Sequence, residues 1–274
     1  MDNRYDRDFY RAQQDGSRRS AARVVRLLHQ LLKPRSVVDV GCGVGTWLAA
    51  FLEQGDAEVV GLDGPHVDTG MLHVPAACFR AVDLAVPITV DRRFDLAVSV
   101  EVVEHLPAGR GPGFVADLCR LAPVVVFAAA LPYQGGTGHV HENWPEYWAQ
   151  LFRRQGYGVH DVLRSSLWLD VEIEWWYRQN LLLFIDDAAW DDSALAPLLA
   201  SAPAGGCLRG AAPQPLTRIH PVGWLGWHLA EPGAVVEADR VAGPRGEELR
   251  YFNHLSELWL SGRNDEPPPR PLSG

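Results

Sequence analysis

The sequence predicts an α/β fold in which seven strands form one mostly parallel sheet, with helices on both faces and a final antiparallel hairpin. Three observations carry this expectation. Short β-branched runs alternate with stretches whose apolar residues recur at helical spacing. A glycine-rich turn follows the first such run directly and leads into a helix. The last two runs are consecutive strands joined by an aromatic insert.

The elements follow in order. In residues 1–33, Ala21, Val24, Val25, Leu27, Leu28, Leu31 and Leu32 fall on one helical face. Pro34 ends that helix. Strands are expected at 37–40, 57–62, 78–82, 94–100, 124–130, 157–163 and 180–185. The fifth is apolar throughout, as a strand buried on both faces should be. Helices are expected from Thr46, over 113–121 and over 145–155. Four regions result: N-terminal cap or lid helices at 1–33, a core domain at 34–186, a C-terminal extension at 187–260 and a disordered tail at 261–274. The tail is rich in proline and charge, and 201–215 reads as an Ala/Gly/Pro linker. The extension carries Trp224 and Trp227 and is expected to pack on the core or on a second subunit, which is compatible with a homodimer.

The 274 residues suffice for a large single core, and 47% hydrophobic with 22% charged residues is an ordinary globular balance. The longest apolar run, at 121–131, is too short to span a bilayer. The charged N-terminus lacks an apolar core, so no secretory signal is expected. Cys42, Cys78, Cys119 and Cys207 are scattered, which argues against a disulfide framework or a cysteine zinc site. Cytoplasmic localisation is the default. A net charge of −9 without a basic run disfavours a nucleic-acid partner.

Asp39-Val40-Gly41-Cys42-Gly43-Val44-Gly45 is the most informative segment. Glycines allow a sharp turn and close ligand approach. A pyrophosphate at the following helix N-terminus would be ill served by an adjacent carboxylate. An acid inside the loop suits a ligand that carries positive charge.

With this loop, residues 37–186 resemble the class I S-adenosylmethionine-dependent methyltransferases. The resemblance implies a Rossmann-like fold and S-adenosyl-L-methionine as cofactor. It implies that Asp39 holds the methionine moiety, with Gly41, Cys42, Gly43 and Gly45 forming the loop. Asp63, ending Val59-Val60-Gly61-Leu62-Asp63, takes the place of the ribose-binding acid, with Gly64 beside it. Asp83, ending Phe79-Arg80-Ala81-Val82-Asp83, takes the place of the adenine-contacting acid, with Leu84 beside it. Ser99 lies in the strand carrying the fourth motif. Each acid also has a plainer reading, Asp63 as a helix cap and Asp83 as a surface turn acid.

Three segments reach the carboxyl edge of such a sheet, where ligands bind: 101–107, 131–144 and 165–179. The first holds Glu101-x-x-Glu104-His105, a pattern shared with ubiquinone-pathway and small-RNA methyltransferases. In some of those relatives it binds a divalent metal with a further histidine, which here would be His139, with His141 as understudy. Carboxylate and imidazole suit such an ion. The alternative is a metal-free site in which Glu101 accepts from the cofactor region and His105 caps or packs. His139, in a glycine-rich loop, is the first candidate general base and His141 the second. Trp175 and Tyr177 are expected near the reacting centre, where aromatic faces attract a sulfonium, or else they pack the insert onto the sheet. Arg178 either pairs with a substrate anion or bridges to an acid. Glu101 and His105 complete the candidate catalytic set.

Two functions compete. The first is methyl transfer to oxygen or nitrogen of a small molecule. The aromatic N-terminus, the Gly-Gly-x-Gly-His loop and the segment at 175–180 look like bacterial methyltransferases of secondary metabolism. The second keeps the cofactor and changes the reaction: S-adenosylmethionine is itself the substrate, as in cyclisation to azetidine-2-carboxylate with release of methylthioadenosine. The adenosine product separates them.

Overall fold

A computed structural model describes residues 7–55, 57–189 and 216–223, with side chains from residue 15 onward. The expected extension and tail otherwise fall outside these residues, as do Trp224 and Trp227. The first helix, α1 (Arg7–Leu32), is 26 residues long. Ala21, Val24, Val25 and Leu28 on its inner face are fully buried. Its second half is therefore part of the core. Lys33 takes a left-handed φ of 45°. Pro34 then prevents continuation.

The sheet holds β1 (Ser36–Val40), β2 (Glu58–Asp63), β3 (Phe79–Ala81), β4 (Leu96–Val100), β5 (Val124–Ala128), β6 (Tyr157–His160) and β7 (Leu182–Asp186). Their order is β3-β2-β1-β4-β5-β7-β6. Strand pairing is parallel from β3 through β5. β7 inserts between β5 and β6 and runs antiparallel to both, with Val126 opposite Leu183 and Val159 opposite Phe184. The fold is the expected Rossmann-like one, and the terminal hairpin is closed by its own last strand slotting inward.

Strand side chains alternate between faces, and the alternation sorts the core into two layers. Leu96, Val98 and Val126 join α1 and α2 (Thr46–Glu53) on one face. Ala97, Val125 and Phe127 join α3 (Gly111–Leu121) and α4 (Pro145–Arg154) on the other. Phe152 and Phe184 stack at 3.8 Å in the second layer. The insert between β6 and β7 contains α5 (Arg164–Leu167) and α6 (Trp175–Asn180). It docks on α1, where Glu174 N donates to Ser20 Oγ at 2.9 Å. Gly16 lets the Glu174 carboxylate sit close there, since a Cβ would lie 2.1 Å from its Oε1.

β1 and β4 are neighbours from which the chain order runs outward in both directions. Their carboxyl ends therefore form the switch-point crevice where α/β sheets bind ligands.

Candidate active site

The loop after β1 is built around backbone that only glycine adopts freely. Gly41, Gly43 and Gly45 have φ of 86°, 52° and 81°. Gly41 N donates to Leu62 O at 2.8 Å, which folds the loop over the end of β2. A Cβ on Gly41 would lie 2.3 Å from Val102 Cγ2, so the two loops of the crevice close on each other only through this glycine.

Two acids flank the loop. Asp39 is buried, and its Oδ2 has no hydrogen-bond partner. Burial, and then the nearby charge of Asp63, push its carboxyl up to about 8. A buried carboxyl left partnerless calls for a donor or cation from outside the chain. Asp63 accepts from Gly43 N at 2.7 Å and Gly64 N at 2.6 Å, so it pins the glycine loop. Burial raises its pKa against those two bonds. Ser99 is buried on β4, and its Oγ is also without a partner. Cys42 is buried, with its thiol pushed up by burial and packed toward Gly61.

Asp83 is exposed and accepts from Ala85 N at 2.9 Å, a local turn bond, as in its plainer reading. Leu84 packs in the second core layer, and its carbonyl accepts from Arg110 Nε at 2.8 Å. Arg110 also bonds Val86 O and the buried Asp117, so it clamps this loop from below.

Glu101 follows β4 with a φ of 57°, a left-handed turn rare for residues other than glycine. Its Oε1 accepts from Asn180 Nδ2 at 3.0 Å and its Oε2 from Gln134 Nε2 at 2.9 Å. Three residues on, Glu104 is fully buried. Its Oε1 accepts from Ala130 N at 3.2 Å, and its carbonyl accepts from Val140 N and His141 N. Oε2 has no hydrogen-bond partner. Burial first, and then the charge of Glu101, raise its pKa well above the carboxylate range.

These bonds lay the 131–144 loop against 103–105. His105 and His139 meet edge to face at 4.9 Å. Glu104, His105 and His139 each offer a ligand atom, and these atoms lie within 4.8 Å of one another. One carboxylate and two imidazoles fit a divalent ion such as Mn²⁺ or Zn²⁺. The group found among the described residues does not include Glu101, whose two oxygens accept from Asn180 and Gln134.

His139 Nδ1 lies 2.9 Å from Glu142 Oε1, while Tyr133 N donates to Glu142 Oε2 at 2.9 Å. The carboxylate makes Nδ1 the protonated nitrogen and leaves Nε2 with the lone pair. His141 is brought elsewhere. Its ring packs against Trp148 and Tyr147 at 5.1 and 6.0 Å. Burial lowers its pKa. This corrects its expectation as second base or ligand: two residues of chain turn it from the crevice into the α3–α4 layer.

Tyr177 is buried, edge-on to Trp47 at 5.4 Å, with its phenol pushed up to about 12 mainly by burial and partly by the charge of Glu101. Trp175 packs on Trp176 and against Gly223, where a Cβ would lie 2.4 Å from the indole. Arg178 is buried and donates to Trp168 O at 3.3 Å, a bond within the insert. Gln134, Gln179, Asn180 and Glu142 join the site although nothing singles them out one by one; the sequence signal for them is that they fall in the segments 131–144 and 165–180, expected at the carboxyl edge of the sheet or carrying the resemblance.

This sheet order, with a glycine loop and two acids at the switch point, defines a class I methyltransferase fold. A model of the methyltransferase domain family matches residues 10–179, and the chain belongs to that family. S-adenosylmethionine is the family's methyl donor and the cofactor of this chain. The partnerless Asp39 carboxyl and the glycine cradle fit its cationic methionine end. Solved structures similar to it include DesVI of Streptomyces venezuelae, at 16% identity and TM-score 0.47 over 65% of this chain and 94% of that one. An O-methyltransferase family protein of Burkholderia thailandensis is 14% identical with TM-score 0.46, over 67% of this chain and 59% of that one. Magnesium protoporphyrin IX methyltransferase of Synechocystis, solved with bound cofactor, is 17% identical with TM-score 0.45, over 63% and 82%. No curated protein matches the sequence. Among the described residues, no helix is long and apolar enough to cross a membrane.

Proposed function

We propose that this enzyme transfers a methyl group to oxygen or nitrogen of a small-molecule acceptor, in bacterial secondary metabolism. The observation that carries the reading is His139. Glu142 occupies its Nδ1, and its Nε2 faces the position of a missing Cβ on Gly136, 2.2 Å away. A glycine there gives the ring room against the loop backbone, where the His139 side chain is 13% exposed.

When bound, the cofactor supplies an activated methyl on a sulfonium. In this reading Asp39 pairs with its methionine end, and Asp63 with its ribose. Gly41, Gly43 and Gly45 let the backbone approach. His139 Nε2 takes the proton of an acceptor hydroxyl as its oxygen gains the methyl carbon, or first removes a proton from an acceptor ammonium so that the nitrogen has a lone pair for that bond, and Glu142 balances the charge left on the ring. Glu101 and Tyr177 line the same centre, and His105 holds the His139 ring from the side.

If Glu104, His105 and His139 instead held a divalent ion, Nε2 would be the ligand atom. The metal role and the base role for His139 therefore exclude each other. The test incubates the protein with S-adenosylmethionine, with and without EDTA, alone and with a pool of amino-sugar, phenol and amino-acid acceptors. The expected result is S-adenosylhomocysteine, formed only with acceptors and insensitive to EDTA. Methylthioadenosine formed without an acceptor would overturn the reading in favour of cyclisation. Loss of turnover with EDTA, restored by added metal, would transfer His139 from base to ligand.

A further inference from the structure

Residues 216–223 lie beyond the matched family domain and cross the insert as a strap. The strap is tied at several points. Glu146, at the start of α4, accepts from Leu216 N at 2.8 Å, Thr217 N at 2.9 Å and Thr217 Oγ1 at 2.7 Å. Arg218 pairs with Asp161 at 2.7 Å. His220 is fully buried, and its ring lies 4.8 Å from that of Trp168. Val222 N donates to His220 Nδ1 at 3.3 Å, so the ring's Nε2–H faces Trp168 O at 3.2 Å.

The tie that reaches the crevice is His220 N, which donates to Gln179 Oε1 at 2.7 Å. An amide group has one accepting and one donating end. A backbone N–H on the oxygen forces the Nε2 end to the other side. There it donates to Gln134 Oε1 at 3.2 Å and Asn180 Oδ1 at 3.1 Å. Asn180 then has its orientation fixed, while Gln134 Oε1 is held both by Gln179 and by Leu131 N, which donates to it at 3.2 Å. Asn180 Nδ2 donates to Gln134 Oε1 at 2.8 Å and to Glu101 Oε1, and Gln134 Nε2 donates to Glu101 Oε2. Apart from the Asn180–Gln134 bond, which runs across, the donors of the chain point from the strap toward Glu101. Reversal of Gln179 would set an NH₂ against an N–H and leave two oxygens facing oxygens. Such directed networks are held or lost as a unit.

We propose that the strap is a positioning element of the reacting centre: through Gln179 it sets the direction of the hydrogen-bond chain that holds both carboxylate oxygens of Glu101. The proposal rests on the reading of Glu101 as a residue of that centre. Gln179 is a positioning residue, and the strap completes the site from outside the matched domain.

The test uses the full chain with ¹⁵N-labelled Gln and Asn side chains. The wild type is compared with Thr217→Val/Arg218→Gln, which loosens the strap, and with Gln179→Glu. The latter keeps the shape and the His220 bond but removes both donors. Hydrogen exchange of the Asn180 and Gln134 side-chain amides is followed by NMR. Turnover is followed as S-adenosylhomocysteine release against the acceptor pool described above. Both variants are expected to speed side-chain exchange by roughly tenfold or more, with backbone amides of β1 and β4 still protected. Both are expected to lower kcat by roughly tenfold while KM for S-adenosylmethionine stays within about twofold. Unchanged side-chain exchange in either variant overturns the proposal, as does faster exchange with kcat unchanged. If the double variant does not fold, Gln179→Glu decides alone. A wild type that releases no S-adenosylhomocysteine defeats the function reading, while the exchange result still decides whether the strap holds Glu101.

Discussion

Asp39→Asn should make the cofactor-free protein more stable and the enzyme worse. Asp39 is buried, and its carboxyl is pushed from 3.8 up to about 8, chiefly by burial. An acid with a raised folded pKa binds its proton more tightly in the folded state than in the unfolded one. Its contribution to stability is complete below about 3.8 and is lost as pH rises toward about 8, with no further loss above. At about 1.4 kcal/mol per pKa unit, the interval corresponds to on the order of 6 kcal/mol. Water and relaxation around the ionised group reduce that figure, so it is an upper bound. The asparagine side chain has the same shape and does not titrate. Urea unfolding of the cofactor-free protein at pH 5, 7 and 9 is the assay. The variant should gain on the wild type as pH rises, by more than about 2 kcal/mol at pH 9. It should also bind S-adenosylmethionine more weakly, by about 1.5–3 kcal/mol, because a hydrogen bond to a charged group is lost. Wild-type binding near pH 7 should release a proton, read by calorimetry in buffers of different ionisation enthalpy, and the variant should release none. Parallel stability curves for the two proteins between pH 5 and 9 would refute the reasoning.

Two further outcomes follow from single contacts. Gly136→Ala places a Cβ against His139 Nε2, on backbone whose φ of 146° already disfavours it. Turnover should fall by roughly 10²–10⁴, as for loss of a general base, with cofactor affinity by calorimetry unchanged; a near-wild-type rate would remove His139 from the mechanism. Tyr157→Phe deletes a hydroxyl that donates to Cys119 O and faces Ala122 O, both at 2.8 Å. Denaturant unfolding should show a loss of about 1–3 kcal/mol, because two buried carbonyls lose their shared partner.

What the sequence makes legible and what it hides divide along a physical line. The strands and the glycine loop can be read because their signals are local. Val37, Val38 and Val40 mark a strand, and three glycines at alternate positions mark backbone that L side chains avoid. Asp39 and Asp63 follow from the same register, since each lies at or next to the carboxyl end of a parallel strand. The inward placement of β7 is not local. Nothing in 182–186 says whether that strand pairs with β5, β6 or both, and only the antiparallel register with each settles it.

The amide chain is hidden for the same reason. It joins positions 101, 134, 179, 180 and 220, drawn from separate loops, the insert and the strap, and no spacing rule links them. His139 and His141 show the limit most sharply. Both are loop histidines, two residues apart, and both suit a base or a ligand. What separates them is that Glu104 O takes the backbone N–H of both 140 and 141, which turns the chain at that point. His139 is left with Glu142 at the crevice, and His141 with Trp148 in the core. The residue that decides between them is thus Glu104, through its carbonyl oxygen, an atom that every residue carries and that no motif can single out.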